Sequence, residues 1–134
     1  MESIKQNPLK ILLVEDQALA LKAHRIILER LGYTRSDSAH SGSEAIEKLK
    51  NYDVIFMDLN LPDITGIEAA TAIRQRENPE KRAYIVALTA HTVTDSLIKQ
   101  CRAGGIDLVK AKPIHAEEMA EILAQVQERN AIKV

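Results

Sequence analysis

Apolar runs that end in carboxylates constrain the fold of this chain most strongly. Residues 54–57 are four consecutive apolar residues, Asp58 follows them directly, and Pro62 turns the chain soon afterwards. Such unbroken runs are typical of a parallel strand that is buried on both faces. Because functional groups in open α/β sheets lie at the carboxyl ends of the strands, Asp58 stands where a reactive group is expected. A helix or turn cap is the alternative role for this aspartate.

Helical patterns alternate with strand patterns along the whole chain. Strands are predicted at residues 9–14, 34–39, 53–57, 83–88 and 106–109. Helices are predicted at residues 17–31, 42–51, 65–77, 94–103 and 115–130. Short connections between alternating elements predict an α/β fold with five βα units, a doubly wound parallel sheet of the flavodoxin type covered on both faces. The polar second strand is expected at a sheet edge.

Size and composition restrict the class of protein. The 134 residues suit a single domain spanning 1–134, with its core at about 9–130. A net charge of −1 and 3% aromatic residues argue against direct nucleic-acid binding. The single cysteine, Cys101, favours a reducing, cytoplasmic setting. No apolar run approaches the roughly 20 residues that span a bilayer, so no direct membrane contact is expected. Residues 1–8 lack the apolar core of a signal peptide.

Polar residues at the predicted strand ends form one candidate site. If the strand order is 2-1-3-4-5, the first and third strands are neighbours, and Glu15 and Asp16 converge with Asp58. Two carboxylates about 4 Å apart repel by roughly 4 kcal/mol at an effective dielectric constant of about 20. Lys112 offsets one negative charge, and the remaining negative charge matches one divalent cation. Oxygen ligands favour Mg²⁺ over zinc or copper, and the backbone carbonyl of Asn60 is a further candidate ligand.

The same residues suit phosphoryl transfer, in which catalysis consists mainly of positioning and charge stabilisation. Asp58 is the candidate nucleophile and would form an acyl phosphate. Lys112 would neutralise the incoming charge, and the hydroxyl of Thr89 would bond a phosphoryl oxygen. Plainer roles stay open: a charge pair at a helix start for Glu15 and Asp16, an exposed lysine for Lys112, and a helix-entry hydroxyl for Thr89.

At these residues the chain resembles the receiver domain of two-component response regulators, the CheY-like fold. The matching segments are LLVED at 12–16, MDLNLP at 57–62, ALTA at 87–90 and KPI at 112–114. Together they extend the resemblance over residues 9–126, and the segment ALTAH at 87–91 is most similar to receivers of hybrid sensor histidine kinases.

The resemblance implies a phosphoacceptor rather than an enzyme with a separate substrate. Asp58 would take a phosphoryl group from a histidine kinase or a histidine phosphotransfer protein, promoting its own phosphorylation and slow dephosphorylation. A homodimer or an effector is a further possible partner. The implied site comprises the Mg²⁺ ligands Glu15, Asp16, Asp58 and the Asn60 carbonyl, and the phosphoryl-sensing residues Thr89 and Lys112.

Two positions depart from the family's pattern. Val109 stands three residues before Lys112, where the family often has an aromatic residue. Valine is small and stiff about its first torsion, so a small conformational output is expected. Thr65 precedes Gly66, where aspartate is usual. Neither change removes the phosphorylation chemistry.

Two functions other than that of a phosphorylated receiver are alternatives for this chain. A phosphatase of the haloacid-dehalogenase type also uses a strand-end aspartate with Mg²⁺, but its second acid is replaced here by Asn60. A phosphorylation-independent pseudo-receiver, acting as a protein-interaction module, would be expected to lack an acid or Lys112, and this chain has them all.

The first predicted helix has more apolar residues than one inward stripe needs. The expected inward stripe comprises Ala20, Ala23, Ile27 and Leu31. Leu19 and Ile26 would then lie on a different, partly exposed face. An exposed apolar patch near the acidic site predicts a docking face for a phosphodonor helix or a dimer partner. Ordinary surface residues are the alternative. His24 falls among the inward positions and is predicted to pack in the core.

Overall fold

Five strands and five helices alternate along residues 9–132, the part of the chain that a computed structural model describes. The strands are β1 (Ile11–Val14), β2 (Ser36–Ala39), β3 (Val54–Asp58), β4 (Tyr84–Thr89) and β5 (Leu108–Ala111). The helices are α1 (Ala18–Arg30), α2 (Gly42–Glu47), α3 (Gly66–Arg76), α4 (Asp95–Ala103) and α5 (Ala116–Ile132). The prediction that residues 1–8 lack the apolar core of a signal peptide concerns residues outside the described part of the chain.

The strands form one parallel sheet in the order β2-β1-β3-β4-β5, which confirms the predicted order and the edge position of β2. β1 pairs directly with β3, and Val14 lies opposite Met57. The residues that follow these two strands therefore emerge side by side. On the other side of β3, Asp58 lies opposite Leu88, so the end of β4 adjoins the same place.

Two apolar layers sandwich the sheet, because successive strand residues point to opposite faces. One layer joins strand residues such as Ile55 to buried residues of α2, α3 and α4. The other joins strand residues such as Phe56 to buried residues of α1 and α5. The apolar stripe that α5 buries against the sheet comprises Met119, Ile122, Leu123 and Val126. Within the described residues, no helix is both long and apolar enough to cross a membrane.

Most predicted ends differ from the observed ones by one or two residues, and the end of α2 differs by four. α2 ends at Glu47 rather than at 51, and Asn51 adopts a left-handed backbone conformation with φ of 59°. β5 begins at Leu108 rather than at 106, because the Asp107 carboxylate accepts the Ile85 N–H (2.8 Å) in place of a ladder carbonyl. The later start of β5 carries the strand to Ala111, directly before Lys112.

The inward face of α1 also differs from the expected one. Leu21, His24 and Leu28 are its buried residues, whereas Ala23 is exposed. These three residues are spaced three and four apart, so they lie on one face of the helix. Their side chains are larger than those of the alanines that were expected to face inward. The packing role predicted for His24 is confirmed, since this imidazole is only 6% exposed.

Candidate functional site

Asp58 is the last residue of β3 and is only 5% exposed. One carboxylate oxygen, Oδ1, accepts the backbone N–H of Asn60 at 3.0 Å. The other, Oδ2, lies 3.2 Å from Nζ of Lys112. The strand end therefore presents a nearly buried carboxylate that is oriented by two donors from different parts of the chain.

The carboxylates of Glu15 and Asp16 join Asp58 at this edge of the sheet. One carboxylate oxygen from each of these three residues lies within 4.8 Å of the others. At that separation, two charges repel by roughly 3 to 4 kcal/mol at an effective dielectric constant of about 20. Glu15 and Asp58 are buried whereas Asp16 is exposed, so the cluster opens toward solvent on one side.

Lys112 connects the two buried acids. Its Nζ lies 2.9 Å from Oε1 of Glu15 as well as 3.2 Å from Asp58. Burial acts to lower the pKa of Lys112, but the hydrogen bond that it donates to Glu15 and the charge of Asp58 outweigh this effect, and the pKa is raised. Burial, reinforced by the charge of Asp58, raises the pKa of Glu15 despite its bond from Lys112. One lysine therefore does not fully compensate the acids.

The end of β4 brings Thr89 beside Asp58. The Thr89 carbonyl accepts the backbone N–H of Lys112 at 2.7 Å, which holds the segment after β5 against the site. The buried Thr89 hydroxyl accepts the N–H of His91 at 3.0 Å and lines a groove of about 380 Å³. The helix-entry alternative for Thr89 is wrong, because Thr94 caps α4 by accepting the N–H of Leu97.

A glycine allows the loop after β3 to return close to Asp58. A Cβ atom on Gly66 would lie 2.6 Å from the backbone oxygen of Asp58, far inside contact distance. Thr65, where the family usually has aspartate, caps α3 and forms a capping box with Glu68. Threonine and aspartate both accept hydrogen bonds well at a helix N-cap, so threonine at this position still caps the start of α3.

The residue at the usual aromatic position is half-buried. Val109, like Leu97 and Ile67, packs against the edge of the apolar layer that α2, α3 and α4 cover. The small conformational output expected from a valine here stays a prediction.

Residue types alone gave no indication of a role for Asp63. Its carboxylate accepts the backbone N–H groups of Gly42 and Ser43 at the start of α2, at 3.0 and 2.9 Å. These partners are about 20 residues away in sequence, and no local pattern marks such a contact.

The outer face of α1 carries the two exposed large apolar side chains of the described residues. Leu19 is 84% exposed and Ile26 is 39% exposed, which confirms their predicted orientation. Both lie on α1, the helix that follows Glu15 and Asp16 in the chain, and Leu19 is in its first turn.

The fold and this edge of the sheet define a class of protein. The response regulator receiver domain family matches residues 11–124, and the chain belongs to that family. It is accordingly a receiver domain of two-component signal transduction, of the type found in hybrid histidine kinases.

Similar proteins include several such kinases. Hybrid signal transduction histidine kinase F of Dictyostelium discoideum is 37% identical over 130 residues, which cover 93% of this chain and 12% of that protein. Aerobic respiration control sensor protein ArcB of Escherichia coli is 33% identical, over 86% of this chain and 15% of its own length. The chain therefore spans less than a sixth of either relative.

Solved structures show the same fold. The receiver domain of sensor histidine kinase PA1611 from Pseudomonas aeruginosa is 32% identical, with a TM-score of 0.78 over 90% of this chain and 98% of that one. That structure has a magnesium ion coordinated in its active site cleft. Chemotaxis protein CheY4 of Vibrio cholerae is 29% identical, with a TM-score of 0.79 over 89% of this chain and 98% of that one.

Proposed function

We propose that Asp58 is the phosphoacceptor of this receiver and takes its phosphoryl group from a phosphohistidine of a histidine kinase or a phosphotransfer protein. The observation that carries the proposal is the position of Asp58 at the end of β3, with Nζ of Lys112 at 3.2 Å and the acids Glu15 and Asp16 alongside. An Oδ–P bond would form as the P–N bond to the donor imidazole breaks, leaving an acyl phosphate on the protein.

Lys112 and Thr89 would act on the charge that arrives with the phosphoryl group. Nζ of Lys112 already contacts both buried acids, so it stands where a phosphoryl oxygen on Asp58 would need a cation. The Thr89 hydroxyl is a buried donor at the neighbouring strand end and can bond another phosphoryl oxygen. In phosphoryl transfer, such positioning and charge stabilisation account for most of the catalysis.

The donor set fits Mg²⁺. The residues that would hold the ion offer only oxygen atoms: the carboxylates of Glu15, Asp16 and Asp58, and the backbone carbonyl of Asn60. When bound, Mg²⁺ supplies positive charge that the acids and the phosphoryl oxygens share. The magnesium ion in the active site cleft of the PA1611 receiver supports this assignment.

The proposal also covers the limits and the setting of the domain. Residues 1–134 would form a single receiver domain with its core at about 9–130. The cytoplasmic setting predicted from the single cysteine stays a prediction. As a phosphoacceptor, the domain would promote its own phosphorylation and slow dephosphorylation rather than turn over a separate substrate.

Incubation with acetyl phosphate tests the proposed function. The wild-type chain is expected to gain one phosphate with Mg²⁺, and to gain almost none when EDTA removes the metal, as measured by intact-protein mass spectrometry. A phosphatase would instead release inorganic phosphate continuously without retaining it. No uptake with or without Mg²⁺ would indicate a pseudo-receiver and contradict the proposal.

The exposed patch on α1 is the proposed docking face for the phosphodonor protein. Leu19→Ser combined with Ile26→Ser is expected to slow transfer from a phosphohistidine phosphotransfer protein by roughly ten-fold, because apolar contacts at an interface centre are lost. Transfer from acetyl phosphate needs no docking and should not change. Gln100→Ser, an exposed change on α4, serves as the control. Equal rates from the protein donor in all variants would mean that these are ordinary surface residues.

A further inference from the structure

The loop between β3 and α3 carries the candidate metal ligand Asn60 and is closed tightly at its base. The N–H of Leu59 donates to the carbonyl of Leu88 at 3.0 Å, so the first loop residue is bonded to the end of β4. The carbonyl of Leu59 in turn accepts the N–H of Gly66 at 3.0 Å. These bonds fix where the loop leaves and re-enters the fold, and the N–H of Asn60 is bonded to Oδ1 of Asp58 at 3.0 Å, but none of them holds residues 61–64.

The far end of the loop is held by Asp63. Its Oδ1 accepts the N–H of Gly42 at 3.0 Å and its Oδ2 accepts the N–H of Ser43 at 2.9 Å. The next residue, Ile64, covers the same helix start, since a Cβ on Gly42 would lie 2.5 Å from Cγ1 of Ile64. Polar and apolar contacts therefore tie one loop to one helix terminus.

The contact between Asp63 and the start of α2 stabilises both the loop and the helix. A helix of six residues such as α2 is too short to persist alone, and its first N–H groups need acceptors. Bonds from the Ser43 side chain and from backbone N–H groups hold the pKa of the Asp63 carboxyl well below its usual value. The carboxylate is therefore ionised at neutral pH and presents both oxygens as acceptors.

We propose that Asp63 is a positioning residue for the Mg²⁺ site, acting through the backbone of Asn60. Asp63 lies three residues after Asn60, and tying it to α2 restricts the conformations available to the short segment between the acidic cluster and the helix. This inference rests on the proposed function and extends it to a residue that contacts neither metal nor phosphoryl group. Outer-shell residues that hydrogen-bond a metal ligand typically change metal affinity by about ten-fold or more when replaced, and Asp63, which acts through the intervening backbone, should have a smaller effect.

Asp63→Ala is therefore expected to weaken Mg²⁺ binding several-fold, measured by titration of backbone amide chemical shifts. The rate of phosphorylation by acetyl phosphate should fall at low Mg²⁺ and approach the wild-type rate at saturating Mg²⁺. Without metal, hydrogen exchange at the Asn60 amide should become faster in the variant, because the loop is freed. Asp63→Asn keeps one acceptor oxygen and should show a smaller shift in affinity.

Ser41→Ala is the matched control. The Ser41 side chain caps the same helix by accepting the N–H of Glu44 at 3.1 Å, and it makes no bond to the loop. This variant should lose thermal stability with little change in Mg²⁺ affinity. Equal Mg²⁺ affinity in wild type and Asp63→Ala, or an equal loss in Ser41→Ala, would overturn the inference. Phosphorylation of the wild type without Mg²⁺ dependence would instead contradict the proposed function.

Discussion

Asp58→Asn is expected to abolish phosphorylation completely. The amide has nearly the same shape as the carboxylate, and its oxygen can still accept the Asn60 N–H that Oδ1 accepts now at 3.0 Å. It lacks the anionic oxygen that would attack phosphorus, so no acyl phosphate can form. After incubation with acetyl phosphate and Mg²⁺, mass spectrometry should show one added phosphate in the wild type and none in the variant.

A folded variant is essential to that comparison. Removing one of three converging carboxylates relieves repulsion, so Asp58→Asn should be at least as resistant to thermal unfolding as the wild type. Asp95→Asn, an exposed change in the first turn of α4, should still gain one phosphate. An equal phosphate gain in Asp58→Asn and wild type would place the phosphoacceptor elsewhere in the chain.

Asp16→Ala is expected to abolish Mg²⁺-dependent phosphorylation, whereas Glu15→Ala should weaken it less. Asp16 is the exposed acid of the cluster and the one best placed to meet a hydrated ion. Glu15 is bonded to Nζ of Lys112 at 2.9 Å and to the N–H of Gln17 at 3.2 Å, so part of its charge is already used within the protein. It would act on Mg²⁺ through a water molecule.

Initial rates over a range of Mg²⁺ concentrations distinguish the two acids. Asp16→Asn keeps an oxygen ligand without the charge and should fall between wild type and Asp16→Ala. Thermal unfolding without metal provides the control, since loss of an exposed acid should leave the fold intact. If Asp16→Ala responds to Mg²⁺ as the wild type does, the metal assignment is wrong.

The order of elements could be predicted because it depends on local patterns. Unbroken apolar runs indicate strands that are buried on both faces, and the glycines after α1 and α4 mark helix ends. With a parallel sheet and the order β2-β1-β3-β4-β5, the strand ends must meet, so the proximity of Glu15, Asp16 and Asp58 also followed from the sequence.

Boundaries were less predictable where a distant partner decides them. β5 begins two residues later than its apolar pattern indicates, because the Asp107 side chain occupies the bonding position beside Ile85. The inward face of α1 was predicted around alanines, yet Leu21 and Leu28 bury their larger apolar side chains instead. Periodicity identifies an amphipathic helix, but which stripe faces the sheet depends on the space available beneath it.

By itself, the sequence determined the fold class, the strand order through its family resemblance, and the residues of the acidic cluster. Only the tertiary structure decided the contacts that orient them. Lys112 and Glu15 meet across a separation of 97 residues, and Asp63 reaches α2 across about 20. The physical reason is that the type of a residue fixes which bonds and charges its side chain can provide. The distance between two side chains depends instead on how all the elements between them pack.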